Sequence, residues 1–74
     1  MTDLLDRITT DAEVCGGRPC LRGLRIRVTD VLDLLAAGLS TEQVLKELPS
    51  LEREDILASL QFARRRIEPH GGID

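Results

Sequence analysis

The stretch that decides the fold is Thr29–Leu51, TDVLDLLAAGLSTEQVLKELPSL, with its continuation Glu52–Ile67, EREDILASLQFARRRI. Thr29 is placed to cap a first helix, with Asp30 favourable in its first turn. Val28, Val31, Leu32, Leu35 and Leu39 follow helical spacing, and Gly38 supplies a left-handed stop. Ser40 opens a second helix, and Gln43 three residues later completes a capping box. Leu39 and Val44 are spaced for a hydrophobic staple across that cap. Val44, Leu45 and Leu48 form the buried face, and Pro49 ends the helix. A third helix spans about Glu52 to Ile67, with Ile56, Leu60, Ala63 and Ile67 as its core stripe and Leu57 widening it. Its cap is either Ser50, or Glu52 with Leu51 stapled onto Ile56. Short turns between the second and third helices have the proportions of a helix-turn-helix, shared with many other small helical domains.

Upstream, residues 7–28 read as strands and turns. Gly16, Gly17, Pro19 and Gly23 exclude helix on cost. Arg7-Ile8-Thr9 reads as one short strand. Arg18–Leu21 and Arg25–Val28 read as two more, flanking Arg22-Gly23-Leu24. Ile26 and Val28 alternate with Arg25 and Arg27, which puts the arginines on the outer face of a hairpin. The expected fold is therefore mainly α: a three-helix unit over 29–67 with helix-turn-helix proportions, behind a short N-terminal β segment. One domain covers 1–74, with 68–74, containing Pro69, Gly71 and Gly72, expected as a flexible tail.

The 74 residues leave room for a single domain. Such a domain hides only roughly 60% of its unfolded surface, so a homodimer is expected, paired through unsatisfied strand edges. Hydrophobic residues at 42% and charged residues at 31% suit a folded chain rather than a disordered one. No apolar run is long enough for a membrane span, and the N-terminus lacks the pattern of a signal peptide. A cytoplasmic location follows, with Cys15 and Cys20 as reduced, partly buried thiols; with no other cysteine and His70 distant, they lack the ligands for zinc. Phe62 is the one aromatic residue, too few for stacking on single-stranded nucleic acid. No Ser/His/Asp or metal-ligand cluster can be assembled, so no enzyme, cofactor or metal is expected.

Net charge is −3, but it is unevenly spread. Residues 18–29 carry Arg18, Arg22, Arg25 and Arg27 with no acid, and Arg64, Arg65 and Arg66 form a second cluster. Nine of the ten basic residues are arginine, whose planar fork suits phosphate or carboxylate. Arg22, Arg25 and Arg27 are candidates for DNA phosphate, and Arg53, Gln61 and Arg64 for bases along the third helix. Pairing with acids of the chain itself is the plain alternative. Glu52, Glu54 and Asp55 at the start of the third helix face phosphate badly.

Cys15-Gly16-Gly17-Arg18-Pro19-Cys20-Leu21-Arg22-Gly23-Leu24-Arg25-Ile26-Arg27-Val28 resembles the signature of the small bacterial family called domain of unknown function 433. The likeness continues through Asp30-Val31-Leu32, Ala37-Gly38-Leu39-Ser40, Glu42, Leu48-Pro49-Ser50-Leu51 and Glu54-Asp55-Ile56. Leu24 departs from it where threonine is common, and Glu52 where serine or threonine often caps the third helix. The resemblance implies a short β segment followed by a homeodomain-like three-helix unit with a helix-turn-helix. It also implies an antitoxin of a toxin–antitoxin pair, because such proteins are often encoded beside PIN-like ribonuclease toxins. On that reading Arg64, Arg65 and Arg66, with Ile67 as an apolar anchor, meet the ribonuclease, and operator DNA is a second partner. The alternative is a small homodimeric protein-interaction module that binds no DNA.

Overall fold

Helix placement follows local hydrogen-bond chemistry. The computed structural model describes residues 3–67, so the expected tail at 68–74 and its His70 lie outside the described residues. Among the described residues there are three α-helices: α1 (Val28–Ala36), α2 (Thr41–Glu47) and α3 (Arg53–Ile67). α2 is the reading from sequence realised. The Gln43 N–H donates to Ser40 Oγ at 3.2 Å, and the Ser40 N–H donates to Gln43 Oε1 at 2.8 Å. α1 ends in a Schellman turn. Gly38 has φ +99°, the Leu39 N–H reaches the Leu34 carbonyl, and the Gly38 N–H reaches that of Leu35.

α1 starts two residues earlier than a Thr29 cap predicts. Arg27 is the cap, because the Asp30 carboxylate accepts its N–H at 2.9 Å. α3 begins at Arg53, and neither Ser50 nor the Glu52 side chain caps it. The Glu52 N–H donates instead to Asp55 Oδ2 at 2.8 Å.

The β segment is smaller than expected. A 3₁₀ turn, Leu4–Arg7, is held at its start by Asp3 and leads into β1 (Ile8–Thr9). β1 pairs antiparallel with β2 (Cys20–Leu21), Ile8 opposite Leu21 and Thr9 opposite Cys20. Arg18 and Pro19 are outside β2. The expected strand Arg25–Val28 contributes only a single bridge, Arg27 to Cys20. The Leu21 N–H to Ile26 carbonyl and Val28 N–H to Pro19 carbonyl bonds flank it, and from Val28 onward the chain belongs to α1. The tight turn Leu21–Leu24 closes on a Leu24 N–H to Leu21 carbonyl bond of 2.8 Å, with Arg22 at φ +51° and Gly23 at φ +72°. Positive φ at both central residues matches the twist of a two-residue hairpin. Cys15 and Cys20 are not free thiols but a disulfide pair. The turn at Cys15–Gly17 doubles the chain back and sets their Cα atoms 6.8 Å apart.

Leu21, Val31, Val44, Leu51 and Ile56 make the core, with Ile8, Leu24, Leu35, Leu39 and Leu48 packed around it. The 3₁₀ turn, α1 and α2 all pack on α3. One correction concerns the register of α3. Its buried residues are Asp55, Ile56, Ala58 and Ser59, whereas Leu57, Leu60 and Ile67 are 47%, 45% and 79% exposed. Leu60 and Ile67 therefore leave the core stripe. Asp55, held by two arginines, occupies the buried face in their place.

Candidate partner-binding site

The arginines of the chain divide into those used internally and those presented outward. Asp55 is fully buried and takes both oxygens into an arginine cage. Arg22 Nε lies 3.0 Å from Asp55 Oδ1, and Nη2 lies 2.8 Å from Oδ2. The same Nη2 donates to the Ser50 carbonyl at 2.8 Å. Arg7 Nη1 bridges Asp55 Oδ1 at 3.0 Å and Glu52 Oε1 at 2.8 Å. Ser59 Oγ donates to the Asp55 carbonyl at 2.9 Å. Burial pushes the Asp55 carboxyl up. Hydrogen bonds from Arg22, the Glu52 N–H and Arg7 outweigh it and leave the group below its ordinary value. Arg7, held by Glu52 and then Asp55, and Arg22, held by Asp55, are both raised.

This cage fixes where the DNA candidates stand. Arg22 is occupied by Asp55. Arg27 pairs with Asp30 at 3.6 Å, and Arg53 with Glu42 at 2.9 Å. The Arg53 hydrogen bond holds Glu42 below its ordinary value. The Gln61 side-chain oxygen is buried without a hydrogen-bond partner among the described residues. Arg25 is exposed, and Arg64 is exposed on the last turns of α3. Arg53 and Arg64 lie on the same outward face of α3 as Leu57 and Leu60, since positions 53, 57, 60 and 64 recur at steps of four, three and four.

The partner candidates fall together. Arg64, Arg65, Arg66 and Ile67 close α3, where cations favour the negative end of the helix. Arg66 lies over the Phe62 ring, its guanidinium carbon 5.1 Å from the ring centre. Beside them is a groove of about 340 Å³ that the sequence reading missed. Its walls are Pro19, Val28, Thr29 and Leu32 on one side and Phe62, Ala63 and Ile67 on the other. Arg18 and Arg66 are its charged residues. Nothing in the spacing of Pro19, Leu32 and Phe62 announces that hairpin, α1 and α3 converge there. Among the described residues no group of three His, Cys, Asp or Glu side chains could hold a metal ion. No helix among them is long and apolar enough to cross a membrane.

The chain belongs to the family described as protein of unknown function DUF433, which matches residues 8–63. It is 44% identical over 54 residues to the uncharacterized protein y4eO of Sinorhizobium fredii (strain NBRC 101917 / NGR234). That match covers 72% of the chain and 24% of the relative, so the chain spans about a quarter of the longer protein. No solved structure matches.

Proposed function

We propose that this chain is a non-catalytic interaction module of the antitoxin kind, which binds and silences a PIN-like ribonuclease. The observation that carries the reading is the apolar groove bordered by Arg18 and Arg66, next to exposed Ile67. An apolar depression beside clustered arginines suits a protein partner with an acidic surface. A ribonuclease of that type gathers carboxylates around a divalent metal, so its cleft offers such a surface. Arg64, Arg65 and Arg66 are the residues we assign to it, with Ile67 beside them.

Operator DNA is the second reading, and exposed Arg25 on the hairpin favours it. On that reading α2 and α3 would act as a homeodomain-like helix-turn-helix. Against it, the outward face of α3 is interrupted by Leu57 and Leu60, and Arg22, Arg27 and Arg53 already hold acids of the chain. A homodimer fits that leucine face better than two-residue strand edges, which offer little to pair with. Sedimentation at high micromolar concentration tests it.

The deciding experiment mixes the chain with the ribonuclease encoded beside it and follows RNA cleavage. Equimolar chain is expected to stop cleavage. Replacing Arg64, Arg65 and Arg66 by glutamine keeps helix propensity and removes charge. A folded triple variant that still silences the enzyme at equal stoichiometry removes these arginines from the interface. Retarding the chain's own promoter fragment, with and without the ribonuclease, tests the DNA reading. Arg25→Ala is then expected to reduce the salt slope by about 1.

A further inference from the structure

We propose that the groove between α1 and the end of α3 receives an apolar side chain from an acidic segment of a partner protein, whose carboxylates sit on Arg18 and Arg66. The inference rests on the reading of the chain as a partner-binding module, and it sets the direction of insertion. The partner enters this chain, rather than an arginine of this chain plugging the partner.

The walls are apolar: Pro19, Val28, Leu32, Phe62, Ala63 and Ile67. At about 340 Å³ the groove is at the small end of ligand pockets, which run roughly 300–1,000 Å³, and suits side-chain anchors. Among the described residues both charged groups bordering it are arginines, and no acid lines it. Arg66 is stacked on Phe62, which localises its charge and leaves the in-plane N–H groups for a carboxylate fork. Arg18 is exposed and forms no ion pair among the described residues. Nucleic acid is the poorer occupant, since apolar walls offer nothing to phosphate. An apolar anchor flanked by Asp or Glu satisfies walls and rim together.

The test pans a random-peptide library displayed on phage against the full chain. Enriched peptides are expected to share a large apolar residue with Asp or Glu within a few positions. Their affinity is expected to fall about tenfold or more for R18E combined with R66E. Thr29→Phe and Ala63→Met, which fill the groove from opposite walls, are expected to abolish binding; Thr29 is exposed, so its replacement leaves the core intact. Enriched peptides without acids, no enrichment at all, or binding that survives both fillings overturns the proposal. So does binding seen only after residues 68–74 are removed, which makes the chain's own terminus the occupant. A dimer that Thr29→Phe dissociates makes a second copy the occupant and overturns it equally. Ribonuclease binding that persists in Thr29→Phe overturns the groove while leaving the module reading intact. A ribonuclease that ignores the wild-type chain removes the module reading, while the peptide result stands by itself.

Discussion

The guanidinium of Arg22 holds the buried carboxylate of Asp55 through a two-pronged contact, Nε to Oδ1 at 3.0 Å and Nη2 to Oδ2 at 2.8 Å. Bidentate geometry of this kind is the strong form of an arginine–carboxylate pair. It also explains a backbone oddity. Arg22 sits at φ +51°, a region that non-glycine residues rarely adopt. The turn places Arg22 over α3, and the ion pair offsets the strain there.

Asp55→Asn keeps the shape and removes the charge. Two arginines then face a neutral amide in a buried site. Because both arginines reach solvent, the loss is that of charge-assisted hydrogen bonds, about 2 kcal/mol, rather than of a fully buried pair. The urea midpoint is expected to fall with an unchanged slope, and a midpoint within error of the wild type would show that the cage contributes nothing net.

Acid is expected to destabilise the fold through the same residue. The Asp55 pKa is lower folded than unfolded, so the unfolded chain binds more protons. The stabilisation is complete above the unfolded value of about 3.9 and is lost as pH falls from there through the folded value. Urea midpoints followed through this window are expected to slope upward with pH. In Asp55→Asn the slope is expected to flatten.

Gly23→Ala tests the hairpin turn. A Cβ there meets nothing within 4 Å, so sterics with neighbours do not enter. At φ +72° an alanine is strained by its own backbone, by about 1 kcal/mol. Thermal unfolding of the variant is expected at lower temperature with helix content unchanged in circular dichroism.

Ser40→Ala removes the acceptor of the Gln43 N–H at the start of α2. Loss of an N-cap of this type costs about 1 kcal/mol. Ser40→Asp restores an acceptor and is expected to recover that loss in a urea titration.

What could be read in the sequence was what local chemistry decides. Ser40 with Gln43, Gly38 after α1, and Pro49 after α2 are signals within a few residues of their effects, and α2 stands where they place it. The misreading of α3 has a single source. Asp55 contacts Arg22 and Arg7 across 33 and 48 residues, and helical periodicity assigns an acid to the outside. With Asp55 inside, α3 turns so that Leu60 and Ile67 face outward. The same blindness hid the groove, since Pro19, Leu32 and Phe62 meet only in three dimensions. Arg64–Arg66 were visible as a cluster because they are contiguous.

The cage on Asp55 also decides how the molecule breathes. A single carboxylate receives arginines from the 3₁₀ turn and from the hairpin tip, so these two segments are fastened to α3 at one point. The contacts within and between successive helices need only short chain closures, whereas the clasp closes far longer ones. Amide protons of β1 and of the hairpin are therefore expected to exchange with solvent as one cooperative unit, ahead of those in α3. Limited proteolysis is expected to cut first on the N-terminal side of Val28, while the three helices still hold together.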